Sequence, residues 1–154
     1  MNQRPTSLPH HPYVDGLGLG GLIPFVFFAV AIATDVTWVE MANVALTTYT
    51  VAVISFIGAV AWGLALADPN LTHAHRQRLF VWGVAPSLLA WLAALADAPV
   101  RYGLLIATLW LAWWAETRLF PTNILTQRWR KLRLRLSTAV TLCLAIAWYG
   151  QTWP

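Results

Sequence analysis

Six carboxylates and four histidines are the side chains of this sequence best suited to acid, base or metal chemistry. Asp15, Asp35, Glu40, Asp68, Asp97 and Glu116 all stand at the edge of an apolar run or in a polar stretch between two runs. Proton relays and ion pathways place an ionisable group inside a bundle. Glu116 comes nearest to that, and an ion pair with Arg133 or Arg118 is the simpler role for it. His10, His11, His73 and His75 lie in polar segments, whereas a membrane b-type haem needs axial histidines at depth on facing helices. A metal site joining the two histidine pairs, with Asp68 as an oxygen ligand, has no helix or strand to specify its spacing; solvated loop histidines explain them, and no metal or cofactor is expected. Ser55 and Ser87 have no histidine or lysine at comparable depth to serve as a base. The single Cys143 excludes an internal disulfide and a multi-cysteine metal or iron–sulfur site, and it reads as a small apolar filler. These residues form no catalytic constellation, so the chain is expected not to be an enzyme.

The elements that would position these groups follow from composition. Of 154 residues, 58% are hydrophobic and only 10% charged, far toward the side that long apolar runs produce. The expectation is an all-α polytopic membrane bundle of five transmembrane helices: residues 1–15 as a polar N-terminal segment, then one five-span domain over 16–154. The N-terminal segment holds Pro5, Pro9 and Pro12 and one basic residue, Arg4, too far from an apolar core for a signal peptide. Span one is 17–34. Its start, Gly16-Leu17-Gly18-Leu19-Gly20-Gly21, satisfies G-x-G-x-x-G formally, but no strand precedes it, so dinucleotide binding is rejected. Gly20, Gly21 and Pro24 instead loosen the first turns and let another helix lie close.

Span two, 42–67, lies in the longest uncharged run, the 27 residues between Glu40 and Asp68, where about 20 apolar residues suffice to cross a bilayer. Asp68-Pro69-Asn70 ends it. Span three is 79–96, with Pro86 inside. Span four has only 14 residues between Arg101 and Glu116, and reaches 99–120 if both charges extend to the interfaces. Span five is 136–153. With the N-terminus cytoplasmic, Arg4, Arg76, Arg78, Arg118, Arg128, Arg130, Lys131, Arg133 and Arg135 share one side, nine of the ten basic residues, and Arg101 alone lies outside. That is a positive-inside pattern. It requires span four and puts the C-terminus outside.

Contact and ligand residues can be proposed on these spans. Ser55, Ala59 and Gly63 recur every four residues, with Gly58 beside them, a small-residue strip that lets a neighbouring helix approach. Of the ten tryptophans, Trp38, Trp82, Trp129, Trp148 and Trp153 fall near span ends, where the indole suits the headgroup region. Trp91 and Trp110 fall deeper. With Tyr49, Trp62 and Ser87 they would line an aromatic pocket for a quinone, porphyrin or sterol, although a packed aromatic core is the simpler reading. Arg128, Trp129, Arg130, Lys131, Arg133 and Arg135 form a basic run that can dock on anionic lipid or an acidic partner surface before span five. The net charge of +4 is explained by this topology, with no nucleic-acid motif beside it.

Gly21-Leu22-Ile23-Pro24-Phe25, Tyr49 with the run from Ser55 to Gly63, Ala85-Pro86-Ser87-Leu88-Leu89-Ala90-Trp91, and Trp129 with Leu132-Arg133-Leu134-Arg135-Leu136-Ser137 resemble, in order, the motifs of the transmembrane-protein-69 family, domain of unknown function 3429. The likeness runs from about Gly16 to Tyr149. The sequence departs from the pattern at Ala59, where a second glycine is usual, at Glu116, where aspartate is more typical, and at Arg130, where a tyrosine commonly follows the tryptophan. The resemblance implies a small inner-membrane protein, bacterial or mitochondrial, with a matrix-side N-terminus in the second case, and it implies no activity. The tryptophan-rich sensory and translocator proteins are similar in size and span count only, and their Trp-x-Pro-Pro-x-Trp signature is absent. The expected role is a non-enzymatic accessory, assembly or stabilising subunit, in contact with lipids, other inner-membrane proteins or its own copies. The alternative is a binding protein or transporter for a small lipophile.

Overall fold

The computed structural model describes residues 12–34, 37–120 and 127–152, and its regular elements are all helices: α1 (Pro12–Gly20), α2 (Ile23–Ala33), α3 (Val39–Ala67), α4 (His73–Ala94), α5 (Ala98–Leu119) and α6 (Gln127–Thr152). His10, His11, Asp35 and Trp153 lie outside the described residues. Span one is divided. At Gly21 and Leu22 the chain passes through a turn, closed by Gly21 N–H to Leu17 O and Leu22 N–H to Leu19 O, both 3.0 Å. Pro24, at the start of α2, has no N–H for the carbonyl of Gly20, and the Tyr49 hydroxyl of α3 donates to the next carbonyl, Gly21 O, at 3.0 Å.

The other ends are set by local chemistry. Asn70 N–H donates to Asp68 Oδ1 at 2.9 Å, and Arg76 Nη2 to Asp68 O at 3.0 Å, so Asp68 shapes the α3–α4 turn. The Thr72 side chain accepts from His75 N at 3.3 Å and caps α4. Helix α4 therefore begins six residues before the expected span at 79. Helix α6 likewise absorbs the whole basic run from Gln127, because its alternating Leu and Arg residues are good helix formers. The N-terminal boundary moves too: helix starts at Pro12, inside the segment expected to be polar and separate.

The helices close into a ring in which α2 packs on α3, α3 on α4, α4 on α5, α5 on α6, and α6 back on α2, while α3 also touches α5. Small and aliphatic side chains fill the middle: Ala29 and Ile32, Leu46 and Ile54, Ala90, Leu105 and Leu109, Leu144 and Ala147 are all essentially inaccessible. Helices α3 and α4 approach most closely at Gly58 and Gly83, where a β-carbon on Gly58 would stand 2.5 Å from Gly83 O. Alanine and glycine at such crossings let backbones meet, the source of helix association in lipid.

Among the described residues, three helical stretches are long and apolar enough to cross a membrane: 15–33, which runs across the α1–α2 turn, 39–67 and 127–151. Helix α3, with 29 residues, extends about 44 Å at 1.5 Å per residue, longer than a hydrocarbon core of ~30 Å. Large apolar side chains point outward all round the ring, including Val26 and Phe27 of α2, Val81 and Trp91 of α4, Leu104 and Trp114 of α5, and Leu142 of α6. A water-facing surface of this kind is not tolerated by a soluble protein, but a membrane accepts it.

Candidate functional site

Where α1, the start of α2, the middle of α3, the C-terminal half of α5 and the N-terminal half of α6 converge, the packing leaves a partly open cavity of about 480 Å³, within the ~300–1,000 Å³ typical of small-ligand pockets. Its walls are apolar, with Leu17, Phe25, Val53, Phe56, Leu136 and Val140 prominent. Helix α1 rests on α6 and α3 is held by α2, so a space remains between α1 and α3. Leu17 and Phe56, 77% and 71% exposed, are the exposed members of its lining and place the mouth there, among outward apolar side chains. The Tyr49 ring lies 5.0 Å from that of Phe25, tilted by 59°, and both line the cavity.

The polar end is built by α5 and α6. Arg133 Nη2 donates to Glu116 Oε1 at 3.1 Å, and Arg133 Nη1 donates to Ser137 Oγ at 3.0 Å. Ser137 stands one turn after Arg133, on the same face of α6. Glu116, Arg133 and Ser137 are 6%, 7% and 0% exposed, and all three line the cavity. Charges buried so far are tolerated only when paired and hydrogen-bonded. The pair still has capacity: a guanidinium carries five N–H donors, and one Glu116 oxygen alone is engaged among the described residues.

The remaining residues singled out from the sequence are dispersed. Of Tyr49, Trp62, Ser87, Trp91 and Trp110, Tyr49 alone reaches the cavity. Trp62 covers Gly83 and donates from Nε1 to Phe80 O at 2.9 Å. Trp110 donates to Thr141 Oγ1 at 3.0 Å, and Trp91 points outward. Ser87 is half-buried on α4. An aromatic pocket from these five does not form: α4, which carries Ser87 and Trp91, lines no part of the cavity, and Trp62 and Trp110 turn instead to Phe80 of α4 and Thr141 of α6. In the small-residue strip, Ser55 is half-buried, Ala59 and Gly63 are exposed, and nothing lies within 4 Å of a β-carbon placed on Gly63; the intramolecular crossing uses Gly58 instead. Gly20 is also open, while Gly21 and Pro24 sit at the α1–α2 break.

The basic run is divided by helical periodicity. Arg133 turns inward and is unavailable for docking. Arg128 pairs with Asp15 of α1 at 2.6 Å, and Lys131 and Arg135 are exposed. Arg130 lines a small recess of about 10 Å³ with Trp113, Glu116, Thr117, Trp129 and Arg133, and its Nη2 is buried with no hydrogen-bond partner among the described residues. Trp129, expected at the interface, lines the cavity. His75 Nε2 is 2.7 Å from Leu119 O, a contact between α4 and α5. Among the described residues, no group of three or more His, Cys, Asp and Glu side chains is placed to hold a metal ion.

A ring of apolar helices with an outward aliphatic surface defines an α-helical membrane protein. Residues 11–149 match the family described as protein of unknown function (DUF3429), and the chain belongs to that family. It is similar to transmembrane protein 69 of Xenopus tropicalis, with 34% identity over 79 residues, 51% of this chain and 31% of the frog protein. The matched stretch thus spans about a third of that relative. No solved structure matches.

Proposed function

We propose that the protein binds a single lipophilic molecule within the membrane, without catalysing its conversion. The observation that carries this reading is the 480 Å³ apolar cavity, open toward lipid and ended by the buried Glu116–Arg133 pair. Few, fixed polar groups at one end of an apolar space are what orient an amphipathic ligand. Filling the cavity tests the idea. In wild-type protein reconstituted in nanodiscs, quinone, porphyrin or sterol probes are expected to quench tryptophan fluorescence saturably, and Val53→Trp is expected to abolish saturation. Quenching no greater than that of free indole, for every probe, would remove the reading.

The membrane arrangement in this proposal is five crossings in the inner membrane, with a cytoplasmic N-terminus (matrix-side in a mitochondrion) and an external C-terminus. Outward apolar side chains on α4 and α5 support crossing by both, and the one-sided basic residues support the orientation.

An accessory or assembly role is a second reading, favoured by the outward position of Ala59 and Gly63 on α3, where another helix has room to lie. Gly63→Leu is then expected to disrupt self-association or loss-sensitive partner recovery in mild detergent. A protein that is monomeric and partner-free before and after the change excludes it.

A further inference from the structure

We infer that the cavity selects a neutral, hydroxyl-bearing lipophile, such as a quinol, a sterol or a long-chain alcohol, with its hydroxyl lodged between Glu116 and Arg133. This rests on the cavity being the binding site proposed above. The pair is neutral as a whole and presents an acceptor, the second Glu116 oxygen, beside the remaining N–H donors of Arg133. A hydroxyl satisfies both, donating to the carboxylate and accepting from the guanidinium.

Other head groups match less well. A carboxylate or phosphate would bring a second negative charge beside Glu116 in surroundings where charge interactions are strong. An amine would do the same beside Arg133. A ketone or ether accepts only and leaves the Glu116 oxygen without a donor. Of the neighbouring cations, Arg118 lies over the Trp114 ring at 5.6 Å and Arg128 pairs with Asp15; Arg130 shares a small recess with Glu116 and Arg133 but is not among the residues that line the cavity.

The test measures dissociation constants by fluorescence quenching or competition in nanodiscs at pH 8 for decylubiquinol, its dimethyl ether, cholesterol, 1-hexadecanol and palmitate. Wild-type protein is expected to bind at least one hydroxyl probe, with decylubiquinol about tenfold tighter than its ether, the scale of one charge-assisted hydrogen bond, and ionised palmitate weaker than hexadecanol. Glu116→Gln is expected to narrow both preferences. Should that variant not fold, the wild-type selectivity still decides. Whichever of the quinol, sterol and chain alcohol binds tightest assigns the body of the ligand, and each supports the hydroxyl. An ether that binds equally, or palmitate that binds more tightly than hexadecanol, with Val53→Trp blocking both, overturns the head-group inference and leaves the cavity reading standing. Binding of no probe, or binding unaffected by Val53→Trp, overturns the cavity reading itself.

Discussion

The carbonyl oxygen of Gly83 lies 2.5 Å from the point a β-carbon on Gly58 would occupy. Helices α3 and α4 therefore meet backbone to backbone, and the indole of Trp62 lies across the same crossing, its N–H on Phe80 O. No other pair of helices in the ring shares so extensive a contact.

Gly58→Ala is expected to force these backbones apart and lower stability by about 1–3 kcal/mol, the usual cost of overpacking. Gly63→Ala, five residues on and facing open space, is expected to leave stability unchanged or slightly higher, since alanine is the better helix former. Thermal unfolding of the two variants in one detergent, followed by circular dichroism, checks the contrast.

Trp62 and Gly83 are expected to be energetically coupled. A β-carbon on Gly83 would collide with the Trp62 ring, so Gly83→Ala should cost less in a Trp62→Ala background than in the wild type. A double-mutant cycle is expected to give a coupling of about 0.5–3 kcal/mol. Additive effects would place the strain elsewhere, on Gly58 O.

Removal of one partner from the Glu116–Arg133 pair is expected to be costly. Arg133→Met leaves a buried carboxylate uncompensated, and about 3–5 kcal/mol is the usual loss. The double variant Glu116→Leu with Arg133→Met should recover most of it, because an apolar pair of similar volume carries no desolvation penalty. Denaturation in mild detergent gives both values.

Reporter fusions distinguish three crossings from five. Beyond Pro69, Gln127 and Pro154 the two arrangements place a reporter identically: cytoplasmic, cytoplasmic, external. Beyond Pro99 they differ. The five-span arrangement proposed above expects an external reporter there, and a cytoplasmic one would show that α4 and α5 do not cross.

Long uncharged runs made the helices legible in the sequence, and Asp68-Pro69-Asn70 marked its turn because an aspartate that can accept from Asn70 N–H is a local signal. The inward face of α3 was not legible. Small residues occupy both its inner positions (Gly58, Ala61, Ala65) and its outer ones (Ala59, Gly63), and a membrane helix has no polar face to mark which side meets solvent. The depth of Trp91 and Trp110 could be estimated from span ends, but their direction around the helix could not. Glu116 and Arg133 were legible as a pair because opposite charges near span ends need partners. Their place at the end of a cavity depended on the break at Gly21, whose effect on α1 and α3 is tertiary.

That break also sets the order in which the molecule comes apart. One side-chain hydrogen bond, Tyr49 to Gly21 O, spans it from α3, and no continuous ladder of amides runs from α1 into α2. Helix α1 can therefore detach as a separate unit while the ring stays closed, at a free energy well below that of global unfolding. Amide hydrogens of α1 would exchange with deuterium through this local opening, on a clock independent of the α3 core, and any molecule held beneath Leu17 and Gly18 would slow that clock.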